Sequence, residues 1–238
     1  MMKRPRRRPR RTQIERRNET QAAVLSASIS LLAEHGYAGF SASRVAVEAG
    51  ISRGALEHYF PKKNDLIVAA TRYAMREAVE HARLLARSAT RSKDPIKKFL
   101  RDSEHFFFRP EFRAMIEILI AARSDRTLAR PLHPIIQDAR DVLNGIWIDT
   151  LDAAGYPRES AQQFIELTHY LFRGVFFVAT WLPYRIDRKE VIAAWQGLAP
   201  TILELAGSAH HANCVTGRLR KRGTVEINGG RPRKELSR

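Results

Sequence analysis

From about residue 18 to residue 206 the apolar positions recur with helical period. No stretch alternates in and out over several residues, as a half-buried strand would require. A first helix is predicted from Asn18 or Thr20 to Glu34, with Ala23, Ile29, Leu31 and Leu32 on its apolar side and Gly36 as its C-cap. A short second helix starts behind Ser41 as N-cap, turns Val45, Ala46 and Ala49 inward, and is closed by Gly50. Ser52 caps a third helix over 53–60, and Pro61 with Lys62-Lys63 separates it from a long fourth helix reaching Ser88. Further helices are expected near 94–107, 110–122, 125–153 with a break around Pro131 and Pro134, 158–182, and 188–206. Gly155-Tyr156-Pro157 and Pro183-Tyr184-Arg185 are the clearest breaks. Short connections between helical segments predict an all-α bundle.

Two short helices joined by a tight turn at Gly50 make a helix-turn-helix. In that arrangement the second helix lies in the DNA major groove and the first crosses the backbone. The surrounding stretch, GYAGFSASRVAVEAGISRGALEHYFPKKNDLI, resembles the DNA-binding region of the TetR family of transcriptional regulators. The resemblance rests on Gly36-Tyr37, on Ser41 and Val45-Ala46, and on Ala49-Gly50-Ile51-Ser52. It continues through Gly54-Ala55-Leu56 and Tyr59-Phe60 to Lys63 and Leu66. It spans Thr20–Leu66 without a gap; the rest of the chain matches the family in layout alone. It implies an N-terminal DNA-binding domain (18–66), then a helical effector-binding and dimerisation domain (67–206) reached through a long linking helix. The flanks, 1–17 and 207–238, read as a disordered basic arm and a disordered basic tail, being rich in charge, Gly and Pro.

The resemblance and the local chemistry together nominate the DNA contacts. Ser41 and Ser52 cap helices whose termini offer N–H groups to phosphate. Arg53, Gly54 and His58 project from the recognition helix, and Arg53 can grip guanine with both arms of its fork. Ser43 and Arg44 match positions that reach the groove or the backbone, and Tyr59 and Lys63 match phosphate-contacting positions. Glu57 departs from the family, which usually has an aromatic there. It either pairs with Arg53 four residues earlier or accepts from cytosine N4. Val45, Ala49, Ile51, Leu56 and Phe60 are expected in the core.

Charge changes this picture. The net charge is +16, of which +8 lies in residues 1–17 and +6 in residues 207–238. From Glu19 to Leu66 four Lys/Arg face five acids, so the reading head itself is net −1. Because non-specific affinity depends on neutralising phosphates, the basic arm is expected to supply much of it. The Arg-Pro alternation of the arm has no apolar face, which fits an extended chain along phosphates or a minor groove rather than a membrane anchor.

The remaining chemistry is sparse. A single cysteine excludes an intramolecular disulfide framework and a thiolate zinc cage. His210, His211 and Cys214 make at most a half-site, and no cofactor or metal is expected. No apolar run reaches the roughly 18 residues of a membrane span, and no secretory signal follows the basic N-terminus, so a cytoplasmic protein is expected. No acid–base or nucleophile set suggests an enzyme. By the resemblance, the apolar bundle encloses a small-molecule effector, with Phe107, Met115, Leu119, Trp147 and Phe172 as apolar lining. His169 and Arg173, at i, i+4 on one helix, are the polar candidates, with Arg123 weaker. The last two helices are the expected homodimer face, through Leu171, Gly174, Val175 and Val178 and through Ile192, Trp195, Ala199 and Ile202. A two-fold dimer implies a pseudo-palindromic operator in double-stranded DNA. The whole therefore reads as a homodimeric repressor released by its effector. The alternative is a non-specific architectural nucleic-acid-binding protein driven by its basic tails.

Overall fold

The computed structural model describes residues 12–90, 92–183 and 186–221, with side chains described as far as Glu204. The described residues form an all-α fold of nine helices: α1 (Gln13–Gly39), α2 (Ala42–Glu48), α3 (Arg53–Tyr59), α4 (Lys63–Ala89), α5 (Pro95–Phe107), α6 (Pro110–Ala122), α7 (Arg126–Asp152), α8 (Arg158–Trp181) and α9 (Arg188–Lys221). Among them no helix is long and apolar enough to cross a membrane.

The ends of the chain depart from the expected pattern. Helix α1 starts five residues before Asn18, because Thr12 and Glu15 form a reciprocal capping box. Its first turns carry Arg16 and Arg17 out beyond the core, so part of the expected arm is helical. At the other end α9 continues through Pro200 to Lys221, well into the segment read as a disordered tail. Residues 1–11 and 222–238, and the side chains of His210, His211 and Cys214, lie outside the described part.

Inside the fold the local rules hold. Gly36 breaks α1 with φ 65°, ψ −179°, where the sequence placed a cap, and one further turn follows to Gly39. Ala23, expected inward, is exposed; Val24, Leu25, Leu31 and Leu32 carry the buried face instead. Pro131 and Pro134 do not break α7, which stays helical through both. Each proline removes one ladder hydrogen bond, while α7 packs extensively against α4.

Two layers result. Helices α1–α3 and the start of α4 close over a small core of Val24, Leu32, Val45, Leu56 and Leu66, all essentially free of solvent. Helix α4 leaves this unit and packs against α7, while α1 packs against α6, so the small unit is seated on the larger bundle. Within the bundle α8 packs on α7 and α9 around five fully buried rings: Phe99, Phe107, Phe112, Phe164 and Phe172. Each such side chain contributes about 1.5–3 kcal/mol on burial.

Candidate nucleic-acid interface and the cavity behind it

The turn between α2 and α3 is fixed by backbone geometry. Gly50 has φ 67°. Its N–H bonds Val47 O (3.1 Å) while Ile51 N–H reaches back to Ala46 O (3.0 Å). This is a Schellman closure, which needs the left-handed conformation glycine adopts without strain. Ser41 Oγ accepts from Arg44 N–H (3.4 Å) and Ser52 Oγ from Ala55 N–H (3.1 Å), so both predicted caps form. Val45 and Leu56 are fully buried, which leaves the other side of α3 outward.

That outward side is polar. Arg53, Gly54, Glu57 and His58 are all exposed, and His58 touches Tyr59 edge-on at 5.8 Å. Arg53 Nε donates to Glu57 Oε1 at 2.7 Å. Of the two roles open to Glu57, the intrahelical pair is therefore the one the free protein makes. A Cβ built on Gly54 meets nothing within 4 Å. Nothing inside the fold requires glycine there. Tyr59 is half-buried, with the Arg17 guanidinium 5.8 Å from its ring, so α1 carries positive charge to the edge of the recognition helix.

Two nominated contacts bond backbone carbonyls of α1 in the free protein. Arg44 Nη1 bonds Gly39 O at 3.0 Å, although Arg44 itself is exposed, as is Ser43. Lys63 Nζ donates to Tyr37 O (3.2 Å) and lies 4.0 Å from the Tyr37 ring centre and 5.6 Å from that of Phe40. Burial lowers its pKa. This lysine ties the start of α4 to the end of α1. The same junction meets the bundle: Asn64 Nδ2 donates to Thr127 Oγ1 (3.2 Å), which donates to Asp125 (2.7 Å). A Cβ on Gly36 would come 2.9 Å from Glu117 Oε2 on α6, so α1 and α6 meet closely at the kink.

Behind the junction the bundle forms a cavity of about 620 Å³, partly open to solvent and lined from α1, α4, α5, α6, α7 and α8. One wall is a polar chain. Trp147 Nε1–H donates to Asp102 Oδ2 (2.7 Å), and His81 Nδ1 meets Asp102 Oδ1 (2.8 Å). The His81 ring stacks on His105 at 3.9 Å. Arg109 donates to His105 Nε2 (2.9 Å) and forks onto Glu111 (2.9 and 2.6 Å). Burial raises the Asp102 pKa against the opposing pull of these hydrogen bonds. Burial first, then His81 and Arg109, lowers that of His105. The facing wall places His169 beside Phe107 (5.3 Å) and Phe99 (6.1 Å), and Arg173 over Phe107 at 5.4 Å. Burial, with Arg173 and Arg140 behind it, pushes the His169 pKa down to about 3, so it is neutral.

Residues 24–70 match the family model for bacterial regulatory proteins of the tetR family. The HTH-type transcriptional regulator CymR of Pseudomonas putida is 31% identical over 72% of this chain and 85% of its own. The chain belongs to the TetR family. It is accordingly a DNA-binding transcriptional regulator. The fatty acid metabolism regulator protein of Bacillus subtilis is 23% identical over 79% of this chain and 94% of its own. The fold is shared with crystal structures from Mesorhizobium loti (TM-score 0.65, 12% identity, 82% of this chain and 98% of that one) and of a TetR transcription regulator from Haloarcula marismortui (0.55, 19%, 79% and 98%).

Within this TetR-family fold the nominated effector residues divide. Phe107, Met115, Trp147, His169 and Arg173 line the cavity. Phe172 does not. Three residues on from His169, it turns into the core against Phe107 (6.0 Å) and Phe108 (6.1 Å). Leu119, one turn past Met115, lies beyond the cavity against the core, and Arg123 is exposed at the end of α6. Sequence reasoning missed His81, Asp102, His105, Arg140 and Asn144. Three of these pair across helices and leave no local trace. Arg140, Leu143, Asn144 and Trp147, however, fall at i, i+3, i+4 and i+7 on α7. That is one helix face carrying two polar residues, a signal that was readable.

Three of the residues nominated for the dimer face, Val175, Trp195 and Ala199, are engaged within their own chain. Ala199 is fully buried and Val175 is 9% exposed. Trp195 stacks on Phe164 at 5.8 Å and donates to Thr168 Oγ1 at 2.9 Å. Trp195 thus belongs to the seam between α8 and α9 within one chain, and Val175 and Ala199 are turned from solvent. The exposed apolar stripe of α8 is instead Leu167, Tyr170, Phe177 and Trp181, with Gly174 among them and Leu198 outward on α9.

Proposed function

We propose that this regulator is a homodimeric repressor in the cytoplasm, seated on a pseudo-palindromic operator and released by a small molecule that enters the α1–α8 cavity. One observation carries the reading: a recognition helix with a polar outer face that owes nothing to the core is joined, through α4, to a cavity whose wall combines aromatic rings with polar and charged side chains. Its volume, about 620 Å³, falls in the range of small-molecule sites. Arg53, Gly54 and His58 address base edges. Tyr59, Arg17 and the basic arm address phosphates. Ser41, Ser43, Arg44 and Ser52 complete the groove-facing edge. Arg53 must leave Glu57 to reach a base, so operator choice includes the cost of breaking that pair.

The dimer reading is supported by the stripe of Leu167 (46% exposed), Tyr170 (60%) and Phe177 (54%) on α8, beside Leu198 (54%). Apolar residues aligned this way mark a surface that another copy would cover. Gly174 within it leaves room for close helix approach. In such a dimer the spacing of two α3 helices sets operator affinity. A ligand that binds better when that spacing is wrong releases the DNA, to the extent of its differential affinity. The contacts of Lys63, Tyr37, Asn64, Thr127 and Glu117 would carry cavity movements to the reading head.

A competition titration tests the proposal. Labelled DNA from upstream of the protein's own coding sequence is challenged with unrelated duplex at near-physiological salt. A preference of about a thousand-fold or more, with two chains per site, is expected. Equal competition by unrelated duplex refutes the repressor reading in favour of a non-specific architectural protein.

A further inference from the structure

The cavity has two arginines in its wall, Arg140 on α7 and Arg173 on α8, with no ion-pair partner among the described residues. Arg173 is half-buried, its guanidinium over the faces of Phe107 (5.4 Å) and Tyr170 (5.9 Å). Arg140 lies close enough to depress the basicity of both Arg173 and His169. The lining also contains four carboxylates, of which three are engaged elsewhere. Asp102 is held by Trp147 and His81, Glu80 pairs with Arg83 at 2.6 Å, and Glu111 pairs with Arg109 at 2.6 Å. Glu77 is exposed on α4 and pairs with neither arginine. His169, being neutral, adds a polar ring edge and no charge.

Arg173 is half-buried and Arg140 lies exposed at the cavity rim; two like charges on one cavity repel, and their unpaired guanidinium forks leave strong donors open. A cationic ligand would worsen this, and a neutral one would leave it. A carboxylate relieves it, because a planar guanidinium grips a carboxylate with two parallel hydrogen bonds. Phe99, Phe107, Met115, Leu143 and Trp147, also in the lining, suit an apolar body. We infer that the ligand of this cavity is an amphiphilic organic acid, its carboxylate between Arg173 and Arg140 and its apolar body among Phe99, Phe107 and Trp147. The inference rests on the effector reading above and narrows it to a ligand class.

The test uses the full chain and titration calorimetry with 2-naphthoate, 4-phenylbutyrate and decanoate, each against the primary amide of the same skeleton. At least one acid is expected to bind once per chain and about ten-fold or more tighter than its amide, the usual strength of a charge-assisted pair. Arg173→Met, which keeps the apolar stem, should bring that ratio close to one while leaving the ligand-free Tm unchanged or higher. A purely structural arginine would lower it. Arg140→Met should reduce the ratio and serves as the second variant should Arg173→Met not fold. Amides that bind as well as acids, no binding by any acid, or an unchanged ratio in both variants overturns the inference. Release of bound DNA separates this from the effector reading. If neutral or cationic compounds bind and release DNA while acids do not, the ligand class is wrong and the effector reading stands. If the acids bind selectively and DNA occupancy does not respond, the class stands and the effector reading falls.

Discussion

His169 makes the account of the cavity quantitative. It sits between Phe99 and Phe107 with two arginines behind it, and its pKa is about 3 against an ordinary 6.5. The native protein therefore refuses a proton that the unfolded chain accepts. Above pH 6.5 neither state is protonated and the site contributes no pH dependence. Below it, stability falls as pH falls, by about 1.36 kcal/mol per pH unit, until the native histidine itself titrates. Between pH 7 and pH 5 the loss from this one site is ~2 kcal/mol. For a chain of this size that corresponds to ~4–8 °C in Tm. His169→Gln keeps a polar side chain of similar bulk and removes the titration. Urea unfolding of both proteins at pH 7 and pH 5, at one fixed concentration, isolates the effect, since the carboxylates are common to both. The variant should lose about 2 kcal/mol less than the wild type over this interval. Parallel losses would refute the reasoning, because His169 would then be protonated in the native state and the cavity would carry a third positive charge.

The remaining predictions concern the reading head and the cavity wall. Gly54→Ala fills open space on α3, so it should raise stability by about 0.5–1 kcal/mol while weakening operator binding; unfolding curves and anisotropy titrations check the two arms, and unimpaired binding contradicts the placement of Gly54 at the DNA. Trp147→Phe leaves the buried Asp102 carboxylate short of a donor and should cost about 1–3 kcal/mol; a loss below ~0.5 kcal/mol in urea unfolding means the bond is not structural. Deleting residues 1–11, which spares the Thr12 capping box, should weaken binding to every duplex and reduce the slope of log affinity against log salt by about 0.9 for each phosphate that the arm would have neutralised; an unchanged slope excludes the arm from the interface.

The reading head was legible because its determinants are local. Caps at Ser41 and Ser52 and the left-handed turn at Gly50 are set by neighbours a few residues away, and all three form where the sequence puts them. Even the Arg53–Glu57 pair was foreseeable from its i, i+4 spacing. The ends of the long helices were less legible. Arg-rich and Gly-containing flanks look disordered by composition, yet a capping box at Thr12 extends α1 and α9 runs on past residue 206. The cavity was legible in part. His169 and Arg173 betrayed themselves as polar residues inside an apolar helix. Asp102, His81 and Trp147, far apart in the chain, meet through the packing of α4, α5 and α7, and no local pattern records that meeting. Some residues nominated for the dimer face turned inward for a related reason. Apolar residues of α8 and α9 look alike in sequence whether they meet each other or a partner, and Trp195 and Ala199 proved to be turned toward their own chain.

A binding selection on genomic fragments with the purified full-length protein at near-physiological salt, read out by sequencing, is the most direct test of the central claim that this TetR-family protein recognises a specific operator. The account predicts a sharp pseudo-palindromic site whose half-sites lie one helical turn or a multiple of it apart, with one such site upstream of the protein's own gene. Diffuse enrichment without a common motif would contradict it, since the basic flanks rather than the recognition helix would then govern binding.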